Sequence, residues 1–297
     1  MMFRVVGIGE LLWDLLPSGA RIGGAPANFS YHAGVLGCEA RTVSRIGDDG
    51  PGHDLLAQLR ALGVSTNCVQ VDTCLPTGTV AVEIDADGQP CFDIARDVAW
   101  DHLQVTPDAM SAAASADAIC FGTLAQRDDM SRASIRALVA ESPSNALRIL
   151  DVNLRQQYFS PALIDQSLML ATVLKMNDLE LPQLARMFGL TGSAQAQMTQ
   201  IAERWQLRVV ALTRGDKGSV LLTQHAWSEH PGVPVPVVDT IGAGDAFTAA
   251  MTVGLLVGWA LDDVNAHANL VAAFVASQAG GTPALPADVV APFVAPR

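Results

Sequence analysis

The stretch Val237-Val238-Asp239-Thr240-Ile241-Gly242-Ala243-Gly244-Asp245-Ala246-Phe247 holds reactive residue types at a spacing that can use them. A β-branched run ends in Asp239. Gly242 and Gly244 can take positive φ and bring backbone N–H groups close to a ligand. Asp245 then opens a long Ala/Leu/Val segment that reads as a buried helix. Free N–H groups and the positive end of a helix dipole together make an anion site. A carboxylate beside a bound anion is awkward unless a proton has to be collected there. The layout is that of a phosphoryl-transfer centre. The N–H groups of Gly242, Ala243, Gly244 and Asp245 receive the moving group, and Asp245 takes a hydroxyl proton. Because a helix N-terminus lowers a carboxyl pKa, Asp245 is expected to be ionised at neutral pH and only weakly basic.

Such a centre needs rigid elements around it, and the chain is long enough to supply them. Its 297 residues, half of them hydrophobic and only 16% charged, can bury a large core. A net charge of −12 argues against binding to nucleic acid or an anionic membrane, which needs basic surface. Anionic ligands must be held by loops, helix ends and single arginines. Five cysteines at irregular spacing, and scattered histidines, give neither a disulfide framework nor a metal cluster. Glu10 and Asp14 interrupt the first apolar run, so no signal peptide is expected. The apolar run 246–261 is shorter than the ~20 residues that span a bilayer and reads as one core helix. The expected location is cytoplasmic.

From Trp100 onward, strands and helices alternate. Strands are expected at 118–121, 148–152, 173–176, 209–213 and 219–222, with helices at 131–141, 161–170, 179–188 and 193–205. That rhythm builds right-handed βαβ units and a mostly parallel sheet covered by helices. In such sheets ligands bind at the carboxyl ends of strands, where the polar motifs of this chain fall. Asp151-x-Asn153-x-Arg155, Asn177-x-x-Glu180 and Thr213-Arg214-Gly215-x-x-Gly218 each follow one strand. Lys175, one of two lysines, lies two residues before Asn177 and reads equally as structural or phosphate-facing.

The first hundred residues are less regular. Residues 3–8 form a first strand, but Gly7-x-Gly9 lacks the third glycine and the helix of a dinucleotide site. Residues 11–16 stay extended, with a turn at Pro17-Ser18-Gly19. Asp14 in this apolar run reads as an acceptor for a ligand hydroxyl, or else as a surface residue on an edge strand. Gly23-Gly24-Ala25-Pro26-Ala27-Asn28 leads into a helix of small residues to about Leu36. It is either a ligand loop or an ordinary strand-to-helix turn. Gly47-Asp48-Asp49-Gly50-x-Gly52 is a second polar loop, ahead of a helix over 54–62. Strands at 79–84 and 90–95 flank a hairpin turn at Asp85-Ala86-Asp87-Gly88. With 11–22 they make about four short strands, enough for a small accessory sheet. Arg96, just past the return strand, either reaches a site beneath it or is solvated.

These motifs, in this order, resemble those of PfkB-type (ribokinase-like) carbohydrate kinases. The resemblance rests on the stretch Asp239 to Phe247, on Gly23-Gly24-Ala25-Pro26-Ala27-Asn28 with Arg45-Ile46-Gly47-Asp48-Asp49-x-x-Gly52, and on Asn177-x-x-Glu180 and Thr213-x-Gly215-x-x-Gly218. It implies a doubly wound α/β core (residues 1–10, 24–76 and 98–297) with a β-sheet lid (11–23 and 77–97). It also implies ATP-dependent transfer to a sugar hydroxyl, with magnesium. Asp14, Gly24 and Asn28 would hold sugar hydroxyls, and Arg96, Asn153 and Arg155 would face sugar or phosphate oxygens. Lys175, Asn177, Thr213, Gly215, Gly218 and Asn269 would line the nucleotide. Glu180 would order magnesium, mainly through water. A monovalent cation would sit on backbone around Asp239, Ile241 and Gly280, although Ala284 stands where a serine is common, which counts against potassium dependence. Ala99-Trp100-Asp101 and the glycine-pair loop are most similar to those of bacterial fructokinases. The relatives that phosphorylate 2-keto-3-deoxygluconate tend to carry aromatics where this chain has Ile94 and Ala95. Ribokinase and nucleoside kinase share the chemistry. A non-catalytic sugar-binding regulator would be expected to lose Asp245 or a loop glycine, and both are intact. Lid pairing into a homodimer is a family option.

Overall fold

Neighbouring apolar residues near the N-terminus part company. Val5 joins a buried cluster with Phe29, Phe247 and Val271, while Val6 and Ile8 join another with Leu150, Leu174 and Leu212. Alternation of this kind means a strand buried on both faces, at the centre of a three-layer molecule. The computed structural model describes residues 2–16, 19–84 and 90–294. The expected hairpin turn 85–88 and most of the turn at 17–19 lie outside the described residues.

The first part of the chain runs β1 (Arg4–Ile8), β2 (Leu12–Leu16), β3 (Gly19–Gly23), α1 (Ala25–Val35), β4 (Glu39–Gly47), α2 (Gly50–Ala61), β5 (Val69–Asp72), β6 (Gly78–Ile84) and β7 (Pro90–Ile94). Strand and helix then alternate through α3 (Pro107–Ala114), β8 (Ala118–Phe121), α4 (Asp129–Glu141), β9 (Leu147–Asp151), α5 (Pro161–Leu170), β10 (Val173–Asn177), α6 (Leu181–Phe188), α7 (Ala194–Trp205) and β11 (Val209–Thr213). The chain closes with β12 (Ser219–Thr223), β13 (Trp227–His230), α8 (Ala243–Val257), α9 (Leu261–Ala276) and α10 (Ala287–Val294).

Among the described residues, two sheets form. The larger has the order β13-β12-β11-β10-β9-β8-β1-β4-β5, parallel except where β12 pairs with β11 and β13. The smaller, β3-β2-β6-β7, is the lid: β2 pairs antiparallel with β3 and parallel with β6. Asp14 therefore sits on an interior lid strand, not on an edge. The parallel strands place residues 9–10, 151–155, 177–180 and 213–215 at one end of the larger sheet, below the lid. No described helix is long and apolar enough to cross a membrane.

Two expectations need correction. The run 246–261 is two helices rather than one, because Gly258 takes a left-handed φ of 81° and ends α8. The nine-residue strand β4 is missing from the sequence reading, because its interior position is disguised by polar residues. Thr42 and Ser44 are fully buried, Ser44 donates to Gly9 O at 2.6 Å, and Arg45 pairs with Asp72 at 2.8 Å.

Candidate active site

Helix α8 begins at Ala243, two residues before Asp245, so the carboxylate lies inside the first turn rather than at its opening. Gly242 precedes the helix at φ 73°, and a Cβ there would come 2.5 Å from Gly281 Cα. Only glycine fits. No side chain caps α8; Ala243 N–H donates to Thr240 O at 3.3 Å, which leaves the N–H groups of Gly244 and Asp245 for an incoming anion. Asp239 fixes the loop from behind: Oδ1 accepts from Ile241 N–H and Oδ2 from Gly280 N–H, both at 3.0 Å. His32 bonds Gly281 O at 2.8 Å, and burial lowers its pKa to about 4, so it holds the second loop as a neutral ring.

Asp245 is half-buried and, among the described residues, receives one side-chain hydrogen bond, from Asn28 Nδ2 at 2.8 Å. Burial and the nearby Asp151 raise its pKa to about 6, while the Asn28 bond, Lys175 and Arg155 oppose the rise. This corrects the expectation of a depressed pKa: at this carboxylate desolvation outweighs the helix terminus. Asp245 is thus a stronger base than its position suggests, yet still mostly ionised at pH 7. Beneath it, Asp151 Oδ1 accepts from Lys175 Nζ at 3.1 Å and Oδ2 from Thr248 Oγ1 at 2.9 Å. A Cβ built on Gly244 would lie 3.0 Å from Lys175 Nζ, so the ammonium sits directly under the loop. Burial alone would lower the lysine pKa. The charges of Asp151, Glu180 and Asp245 more than reverse that, and the residue stays protonated.

On the lid side, burial raises Asp14 to about 6, against the opposing charge of Arg155. Gly23 leaves room for it: a Cβ there would be 2.4 Å from Asp14 Oδ2. Gly24, at φ 110°, packs against Glu10 O in the same way. Glu10 is a residue the sequence reading passed over. It is 3% exposed, Oε2 has no hydrogen-bond partner, and burial raises its pKa to about 7 in a field that includes Asp245 and Arg155. The available signal was a carboxylate at the carboxyl end of the first strand. Arg155 is exposed, yet its charge acts on Glu10, Asp14 and Asp245 together, which gathers these four residues around one cleft. Asn153 starts the same loop with φ 43°. Arg96 is exposed and donates to Tyr158 OH at 3.0 Å.

The third group lies along β10 to β12. Glu180 Oε2 accepts from Asn177 N–H at 2.7 Å and Oε1 from Leu154 N–H at 2.9 Å. Asn177 Oδ1 in turn accepts from the N–H groups of Leu179 and Glu180. With both oxygens engaged, Glu180 suits a cation held through water, as magnesium prefers. Among the described residues no three His, Cys, Asp or Glu side chains converge on a metal. Thr213 ends β11 and donates weakly to Met176 O at 3.4 Å. Gly215 has open space around it at φ 59°, whereas a Cβ on Gly218 would be 2.1 Å from His230 O. Asn269 is spoken for: its amide donates to Ser219 Oγ at 2.7 Å and to Asn265 O at 2.8 Å, inside α9.

A half-buried carboxylate in an uncapped helix turn, with the lid sheet on one side and the loops after β10 and β11 on the other, has clear parallels among known proteins. The family model described as pfkB family carbohydrate kinase matches residues 19–288. The chain belongs to that family. This kinase is therefore a phosphotransferase with an alcohol group as acceptor. A fructokinase of Solanum tuberosum is 28% identical over 308 residues, 96% of this chain and 93% of that one. The structure of an uncharacterized sugar kinase from Pyrococcus horikoshii is 27% identical with a TM-score of 0.81, covering 94% of this chain and 93% of that one. The Vibrio cholerae fructokinase, solved with fructose, ADP and calcium, is 25% identical at a TM-score of 0.80, covering 99% of each chain.

Proposed function

We propose that this kinase transfers the γ-phosphoryl group of ATP to the 6-hydroxyl of fructose. The observation that carries the chemistry is Asp245: half-buried, held by Asn28, and set in the uncapped first turn of α8. The acceptor oxygen attacks the γ-phosphorus, the bond to the β–γ bridging oxygen breaks, and ADP leaves. The hydroxyl proton passes to Asp245 and then to solvent. In a loose transition state little covalent work remains, so positioning and charge neutralisation dominate. Lys175 supplies a fixed positive charge beneath the amide loop. Asp14, Gly24, Asn28, Asn153, Arg155 and Arg96 hold the sugar, and Asn177, Thr213, Gly215 and Gly218 line the nucleotide. Bound magnesium, ordered by Glu180 through water, would neutralise phosphate charge. Backbone at Asp239, Ile241 and Gly280 is the proposed monovalent-cation seat. The relatives named fructokinase support fructose over other sugars.

An ADP-release assay across fructose, ribose, 2-keto-3-deoxygluconate and adenosine tests this. Fructose should give the highest kcat/KM, and turnover should require magnesium. Faster turnover of the keto acid would transfer the assignment to that substrate, and adenosine in first place would make this a nucleoside kinase.

A further inference from the structure

The second pair of crossings between core and lid, at Gly78 and at Ala95–Arg96, rests on one stack of side chains of which only Arg96 has a role in the reaction above. Trp100, fully buried in the 3-10 turn Ala99–His102, is its base. The Arg127 guanidinium lies 4.0 Å from the centroid of the Trp100 ring and 4.7 Å from that of Tyr158. Arg96 covers Tyr158 at 5.1 Å and donates Nε to its hydroxyl at 3.0 Å. The order is therefore indole, guanidinium, phenol, guanidinium.

The middle of the stack is tightly held. Arg127 Nε and Nη2 each reach one Asp101 oxygen at 2.7 Å, and Nη2 also donates to Ala95 O. The turn itself is tied to α4, because Ser131 Oγ donates to Trp100 O and accepts from Leu103 N–H. Where the chain passes into the lid, Gly78 lies flat on the indole; a Cβ there would come 2.2 Å from Trp100 Nε1. Where it passes out, Ala95 and Arg96 are the residues held. Tyr158 belongs to the loop after β9 that carries Asn153 and Arg155. One stack thus joins the two crossings that flank β6 and β7 to that loop.

We propose that the Trp100–Arg127–Tyr158–Arg96 stack registers the lid against the 153–158 loop, with Arg127 and Tyr158 as positioning residues for the sugar acceptor. The sugar must lie between Asp14, on a lid strand, and Asp245, on the core. A displacement of about 1 Å between two such groups can cost up to ~100-fold in rate. Cation–π contacts shielded from water hold orientation more firmly than exposed ones. The inference rests on the sugar-kinase reading but not on fructose being the acceptor.

Tyr158→Phe keeps the stack and loses the bond to Arg96; Tyr158→Ala loses both. Arg127 is the riskier target, since its loss strands Asp101 as a buried charge. With fructose, the acceptor KM should rise about threefold in Tyr158→Phe and more than about tenfold in Tyr158→Ala. The ATP KM should stay within about twofold, and kcat should fall less than the acceptor KM rises. An unchanged acceptor KM in Tyr158→Ala, or an equal rise in both KM values, overturns the proposal. Hydrogen exchange decides the matter even if wild-type protein does not turn fructose over. Amides of 95–101 and 154–158 should exchange faster together in Tyr158→Ala, with α8 unchanged; protection retained in both segments sinks the idea.

Discussion

Asp49 and Asp245 are both acidic residues at the head of a helix in a glycine-flanked loop, and their surroundings drive them opposite ways. Asp49 caps α2. It accepts from Gly52 N–H at 2.8 Å, Thr77 Oγ1 at 2.6 Å and Thr77 N–H at 2.9 Å. Burial acts to raise its pKa, but the bonds from Thr77 and Gly52 outweigh it and hold the carboxyl below its ordinary value. Asp245 has Asn28 alone among side-chain donors, faces Asp151, and is pushed up to about 6. The helix end is common to both. What differs is the supply of donors: a satisfied carboxylate holds structure together, and an under-satisfied one is ready to take a proton.

The largest expected effect separates them by activity. Asp245→Asn should lower kcat by about 10³-fold, in the middle of the range a lost general base costs, with the acceptor KM changed less than about threefold. The same variant should be more stable than wild type at pH 7. The folded pKa of about 6 lies above the ordinary 3.8. The folded state therefore keeps a proton that the unfolded chain releases, and stability falls as pH rises from about 4 to 6. Replacing this half-buried charge by an amide removes that penalty, on the order of 2 kcal/mol. A urea midpoint lower than wild type, or kcat within tenfold of it, would break the contrast.

Asp49→Ala should do the reverse. Loss of the cap and of the tie to Thr77 should cost about 2 kcal/mol, seen as a lower urea midpoint at unchanged slope. Turnover at saturating substrate should fall less than about tenfold, because no Asp49 atom faces the reacting groups. If Asp49→Ala instead abolished turnover while keeping its midpoint, the residue would belong to the site and the comparison would fail.

How much of this was legible depended on whether a residue's job could be read locally. The rhythm after Trp100 gave β8 to β11 and their helices to within a residue or two, because each strand is a short apolar run between turn signals. β4 was hidden, since Ser44 and Arg45 find partners only after β1 and β5 lie alongside, and Thr42 is buried there as well. The loop at Gly242 and Gly244 was readable from glycine spacing, but the basicity of Asp245 was not. A helix-end argument uses neighbours in sequence, whereas burial and Asp151 come from about a hundred residues away. Glu10, Arg127 and Tyr158 escaped for a like reason. A lone carboxylate, arginine or tyrosine has no motif, and only the fold shows that Oε2 of Glu10 lacks a partner or that Arg127 lies between two rings.

The smallest effect is the most discriminating about which carboxylate governs turnover. Asp14 and Asp245 both titrate at about 6; Asp245 must be ionised to take the hydroxyl proton, and Asp14 holds its hydroxyl far more strongly as a carboxylate. The acceptor kcat/KM, which reports the free enzyme, should therefore fall as pH drops below about 6, with a limiting slope near two. Asp14→Asn should lower the plateau and leave a slope near one, so at pH 5 the fractional loss should shrink by about tenfold relative to wild type. Glu10 offers the alternative, since it titrates at about 7. A limb centred there, and abolished in Glu10→Gln, would move the critical proton from Asp245 to the end of β1. A single limb near 6 that persists in Glu10→Gln and loses one unit of slope in Asp14→Asn would leave Asp245 as the base and Asp14 as its lid-side partner.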